Sequence, residues 1–126
     1  MMEKLVKWIT IILIIVSCTL DASSTSFLLS VGHVGNIIFM ETNPLYYSLG
    51  NIGFGIYMIV LPVLLVIGVL LIRPIVDRLQ YLSFDPVKET TLSKITMFFY
   101  SLFIINVIYT FYISINNISI IFTYIF

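Results

Sequence analysis

Apolar residues in this chain gather into three long runs separated by short polar stretches, and none of the runs alternates as a half-buried strand would. Measured against the roughly 20 residues that cross a hydrocarbon core, the runs predict helices over about 6–30, 49–72 and 94–115. The middle run is the cleanest, with no charge from Ile52 to Ile72. Asn43-Pro44 offers a capping side chain beside a proline suited to a first helical turn, so a helix or a short lead-in helix is expected to begin there. Arg73-Pro74 closes the run with a charge and a breaker.

The third run continues without a charge from Ile95 to Phe126. As one helix it would be about 48 Å long, well beyond a membrane's thickness. Asn116-Asn117 is therefore expected to end the span, leaving residues 118–126 as an interfacial tail, with a single tilted helix as the alternative. Isoleucine, valine and aromatic residues also favour sheets. Three non-alternating strands could not close a barrel, however, and only helices then satisfy the backbone in lipid. The predicted fold is an all-α integral membrane protein: one domain over 1–126, an outer loop at about 31–48 and a cytoplasmic loop at about 73–94.

Composition agrees with that reading. Of 126 residues, 60% are hydrophobic and 10% charged, whereas a soluble domain carries about 25% charged residues. Six basic residues balance six acidic ones, which leaves no charge excess to suggest a nucleic-acid partner. Position matters more than the sum. Lys4 and Lys7 precede the first run, and Arg73, Arg78, Lys88 and Lys94 lie between the second and third, so three spans put all six on one side. The positive-inside rule makes that side cytoplasmic, with the N-terminus inside and the C-terminus outside the cell membrane. Within the cytoplasmic loop, Ile75–Leu82 reads as a short amphipathic turn or helix, followed by a break at Phe84-Asp85-Pro86.

Residues 1–22 also fit a secretory signal, with Ile15-Val16-Ser17-Cys18 similar to a bacterial lipobox whose cysteine is lipidated after cleavage. Apolar character resumes at Phe27-Leu28-Leu29, which favours one uncleaved helix running through the polar patch at 21–26. On that reading Cys18, the only cysteine, is a small apolar residue within a helix.

Asp21 stands out among the polar residues, because an ionised carboxylate facing lipid costs a few kcal/mol. Ser17, Ser24 and Thr25 share its helical face. The stripe is expected to turn inward, either as hydrogen-bonding glue between helices or around a proton or cation site at Asp21. His33, Glu41 and Asn43 lie in the outer loop, but their spacing supports no metal centre. On the third helix, Asn106, Thr110 and Ser114 form a row at intervals of four, with Ser101 near the same side, and could bond to the first-helix stripe. Gly50, Gly53, Gly55 and Gly68 allow close approach or bending in the second helix, and Pro62 is expected to kink it. Asn117-Ile118-Ser119 matches a glycosylation sequon close to the membrane. Nucleotide-binding loops, metalloprotease and nucleophile-elbow motifs, paired intramembrane carboxylates and basic grooves are absent from the sequence.

Asp21-Ala22-Ser23-Ser24-Thr25 in the first span, followed by Glu41-Thr42-Asn43-Pro44-Leu45 before the second, resembles a family of small three-helix membrane proteins of unknown function found in archaea and bacteria. The shared pattern is Asp with Thr four residues on, then Glu-x-Asn-Pro, within residues 5–72. The resemblance implies an uncleaved first helix and one polar cluster of Asp21, Thr25, Glu41 and Asn43 near the outer surface. It implies no reaction. The leading expectation is a non-enzymatic structural or accessory component of a membrane assembly, without cofactor or metal. Its partners would be the lipid bilayer and other membrane chains, alike or different. The alternatives are a small transporter-like or ion-conducting oligomer built on Asp21, and a signal-bearing lipoprotein with two transmembrane helices.

Overall fold

The computed structural model of the chain describes residues 2–35, 37–38, 44–82 and 87–126, with backbone alone at 34, 37, 38, 44–49, 51 and 82. Three helices dominate it: α1 (Met2–Val31), α2 (Pro44–Leu79) and α3 (Glu89–Tyr124). Each contains a stretch long and apolar enough to cross a membrane. A two-residue antiparallel ladder, β1 (His33–Val34) with β2 (Ile37–Ile38), follows α1 and pairs His33 with Ile38. Gly32 and Gly35 flank β1 in the left-handed region, at φ 77° and 59°, conformations that glycine adopts without a Cβ penalty.

The helices run past several of the expected stops. α2 begins at Pro44, as the lead-in reading has it, and its one non-helical residue is Gly50 at φ 74° and ψ −179°. The non-helical break thus falls at Gly50, where a left-handed backbone costs least, and Pro62 lies within the helix. Arg73-Pro74 does not close the helix either. Both prolines sit inside α2, which continues to Leu79 and passes into a 3₁₀ turn at Gln80–Leu82, so Ile75–Leu82 is not a separate element. Each proline removes one backbone hydrogen bond, a loss that a long packed helix in lipid absorbs. The expected break at Phe84-Asp85-Pro86 lies outside the described residues.

α3 passes through Asn116-Asn117 without interruption and spans 36 residues, about 54 Å. Asparagine disfavours helix interiors when its side chain competes for nearby backbone groups. Asn117 instead spends its amide on α1, 3.2 Å from Ser24 Oγ and 3.1 Å from Thr25 Oγ1. A helix of this length must tilt or project beyond the hydrocarbon.

α1 and α3 lie side by side in parallel, with α2 antiparallel between their ends in sequence. The α1 seam is Thr10, Ile14, Ser17, Asp21, Ser24 and Leu28, all buried except half-buried Asp21. Its alternating spacing of four and three is that of a left-handed helix pair. Thr96, Tyr100, Phe103, Val107, Thr110, Ser114 and Asn117 continue the same spacing on α3. Thr10, Ser17, Thr96 and Ser114 are fully buried. Each turns its hydroxyl onto its own helix: Thr10 onto Val6 O at 2.7 Å, Ser17 onto Ile14 O at 3.1 Å, Thr96 onto Leu92 O at 2.8 Å and Ser114 onto Thr110 O at 3.0 Å. Thus satisfied, these small side chains allow the backbones to approach closely.

The apolar core occupies the half of the bundle nearer the start of α1. Ile11, Ile14 and Cys18 meet Val69, Ile72 and Val76 of α2 and Leu92, Tyr100 and Val107 of α3. α2 comes close to α3 at Gly68, where an added Cβ would lie 3.1 Å from Phe103 Cζ. The outer surface is as apolar as the interior: Ile12, Val63, Leu64, Ile67, Leu71, Ile105 and Ile108 are all exposed. Such a surface suits contact with lipid and is costly in water.

Candidate functional site

Polar side chains collect at two levels of the bundle. The first, towards the end of α1, contains three of the residues expected to cluster. Asn117 donates to Ser24 Oγ and Thr25 Oγ1, Thr25 Oγ1 donates to Asp21 Oδ1 at 3.4 Å, and Ser24 Oγ donates to Asp21 O at 3.2 Å. The donors form a relay. Asn117 gives a hydrogen to Thr25, whose own hydrogen goes to the carboxylate, an arrangement that favours Asp21 as an acceptor. Ser24 is buried and Asp21, Thr25 and Asn117 are half-buried, so the cluster faces the α1–α3 seam. Glu41 and Asn43, the other expected members, lie outside the described residues.

Asn117 enters the cluster where Asn106 and Thr110 were expected to. Thr110 donates to Asn106 O on its own helix at 3.0 Å, while the Asn106 side chain is exposed and Ser101 caps back onto Phe98 O at 2.5 Å. The intervals of four drift around α3, so Asn106 leaves the seam that Ser114 occupies; Asn117, three residues beyond Ser114, stays on it. The same contacts place the sequon asparagine within a helix with its amide engaged.

The second level was not anticipated as a cluster. Arg73, near the end of α2, fans its guanidinium across all three helices. Nη1 meets Glu3 Oε2 of α1 at 2.7 Å, and Nε meets Asp77 Oδ1 of α2 at 2.8 Å. Nη2 meets Glu89 Oε1 and Oε2 of α3 at 2.7 and 2.8 Å. The side chains of Arg73 and Glu3 are 22% and 19% exposed, against 49% for Asp77 and 74% for Glu89, so the Glu3 pair is the best shielded from water. Glu3 and Glu89 also occupy the first turns of their helices, where the helix dipole favours a carboxylate. The planar fork of arginine suits this arrangement, and a lysine could not match it. Its sequence signal was faint, because Arg73 reads as one more positive-inside charge.

Deeper in the same end, the Tyr100 hydroxyl is fully buried and finds no hydrogen-bond partner among the described residues. Nearby, Lys7 Nζ lies 5.3 Å from the centre of the exposed Trp8 ring, a cation–aromatic pair of the kind found at membrane interfaces.

The remaining expected positions carry less chemistry. Cys18 is a buried free thiol in the apolar core, and His33 is exposed in the ladder. Among the described residues no group of histidine, cysteine, aspartate or glutamate side chains is arranged to hold a metal ion. No protein-family model, characterised protein or solved structure matches the chain.

Proposed function

We propose that this chain is a structural or accessory component of a membrane assembly, held in the cell membrane with its N-terminus inside and its C-terminus outside. The Arg73 bridge carries this reading: its guanidinium joins carboxylates of all three helices, a structural use of charge. The Asp21 relay to Asn117 is of the same kind, tying α1 to α3 through hydroxyls and an amide. Orientation draws support from the helix order, which gathers Lys4, Lys7, Arg73, Arg78, Lys88 and Lys94 towards the end that Arg73 clamps. Exposed Trp8 and Tyr81 belong to the same end, as interfacial aromatic residues do. A relationship to the small three-helix family with the Asp-x-x-x-Thr and Glu-x-Asn-Pro pattern fits this reading and brings no reaction with it.

One observation favours a second reading, a transporter-like or ion-conducting oligomer. Asp21 is a half-buried carboxylate well inside an apolar helix, and intramembrane carboxylates mark proton and cation paths. Asp21→Asn separates the two. On the structural reading the variant alters assembly or stability, and purified wild-type protein in liposomes shows no flux dependent on Asp21. A pH- or cation-driven flux lost in Asp21→Asn, with folding and assembly intact, would establish the transport reading instead.

A further inference from the structure

Asn106 sits midway along α3, between Glu89 and Tyr124, with its side chain exposed and without a hydrogen bond to any described residue. Its position along the helix is set from both ends. Glu89 belongs to the Arg73 level and Asn117 to the Asp21 level, and Asn106 lies about 16 Å inward of Asn117 along the helix. Where α3 crosses a bilayer, lipid chains around such a mid-helix position offer a primary amide neither donor nor acceptor. The residues in line with it are aliphatic or aromatic and are exposed as well. Ile95, Phe99, Leu102 and Tyr109 are exposed at 36%, 39%, 46% and 63%, and with Asn106 they form a stripe spaced four, three, four, three. That is the spacing of a second left-handed helix seam, on a different side of α3 from the one packed on α1.

We propose that this stripe is the contact between two copies of the chain, related by a two-fold axis along the membrane normal, with Asn106 of each copy hydrogen-bonded to Asn106 of the other. The chemistry selects the occupant. Copies inserted in one membrane share an orientation, so their α3 helices meet in parallel and a residue near the axis faces its own equivalent. An amide carries both donors and an acceptor, and it can satisfy its twin reciprocally. The remaining contacts are aromatic and aliphatic, which pack as well on one another as on lipid.

The proposal rests on the assembly reading above and names the surface and partner that it requires. The test uses the full chain in liposomes, with the dimer fraction read by single-molecule photobleaching over a range of protein-to-lipid ratios. The wild type should dimerise, and Asn106→Leu should weaken association about eightfold, the loss of two interhelical hydrogen bonds of average strength. Asn106→Gln should retain most of it. In a Cys18→Ala background, Leu102→Cys and Tyr109→Cys should form intermolecular disulfides, whereas Ile108→Cys and Ile115→Cys, at least as exposed at 63% and 65%, should not. A wild-type chain that stays monomeric, as it would if an unrelated helix covers the stripe, overturns the proposal. So does association unchanged by Asn106→Leu with cross-links on the Ile108 side. An Asp21-dependent flux would count against the assembly reading alone, whereas a monomeric chain would count against the dimer alone.

Discussion

Arg73 Nη1 lies 2.7 Å from Glu3 Oε2, joining residues 70 positions apart and holding the start of α1 against the end of α2. Asp77 and Glu89 meet the same guanidinium, so Arg73 is shared among carboxylates that would otherwise repel one another. Arg73→Ala should therefore destabilise the bundle by about 2 kcal/mol, more than any single carboxylate substitution, because it leaves uncompensated charge at a partly shielded site. Glu89→Gln, at the exposed edge of the cluster, should cost under about 1 kcal/mol. Denaturation in mixed micelles would measure both, and equal effects would contradict the shared clamp.

Asn116 and Asn117 adjoin in sequence but differ in environment. Asn117 bonds to Ser24 and Thr25, while Asn116 is exposed. Asn117→Leu should lower stability by about 1 to 2 kcal/mol, taking about 0.6 kcal/mol for each interhelical bond and the remainder for the hydroxyls left without their donor. Asn116→Leu should be neutral or mildly stabilising in the same assay.

The α1 seam admits only small side chains at Thr10 and Ser17, both fully buried. Ser17→Ala removes a hydroxyl that bonds only to its own helix and should change stability by under about 0.5 kcal/mol. Ser17→Leu should overpack the seam and cost about 1 to 3 kcal/mol, with a lower unfolding midpoint as the readout.

Tyr100→Phe tests the buried hydroxyl. With no partner for that group among the described residues, its removal should leave stability unchanged or raise it by about 1 kcal/mol. Tyr100→Ala should cost about 3 to 5 kcal/mol through the cavity left in the core. A destabilising Tyr100→Phe would indicate that the hydroxyl is hydrogen-bonded.

The existence of three helices was legible because lipid imposes a length and an apolarity that any long run of Ile, Leu, Val and Phe displays. Helix ends were less so. Arg73-Pro74 and Asn116-Asn117 are breakers in isolated segments, but tertiary partners changed their meaning: Arg73 is held by carboxylates from α1 and α3, and Asn117 by hydroxyls of α1. The inward stripe of Ser17, Asp21, Ser24 and Thr25 could be read from helical spacing alone. Its partner on α3 could not, because choosing Asn117 over Asn106 requires the rotation of α3 against α1, which no local pattern encodes. Thr10 and Thr96 are silent in the sequence for the opposite reason: a lone threonine in an apolar run looks ordinary until the spacing of seven from Thr10 to Ser17 to Ser24 is set against a neighbouring helix.

Side-specific labelling of two single-cysteine variants in a Cys18→Ala background tests the three-span arrangement most directly. His33→Cys lies just past the end of α1 and Lys88→Cys just before α3, on opposite sides of the membrane if each helix crosses it. A membrane-impermeant thiol reagent should modify His33→Cys in intact cells and Lys88→Cys only after permeabilisation. Labelling of both positions from the same side would contradict the three-span arrangement, and labelling of Lys88→Cys alone from outside would reverse the orientation.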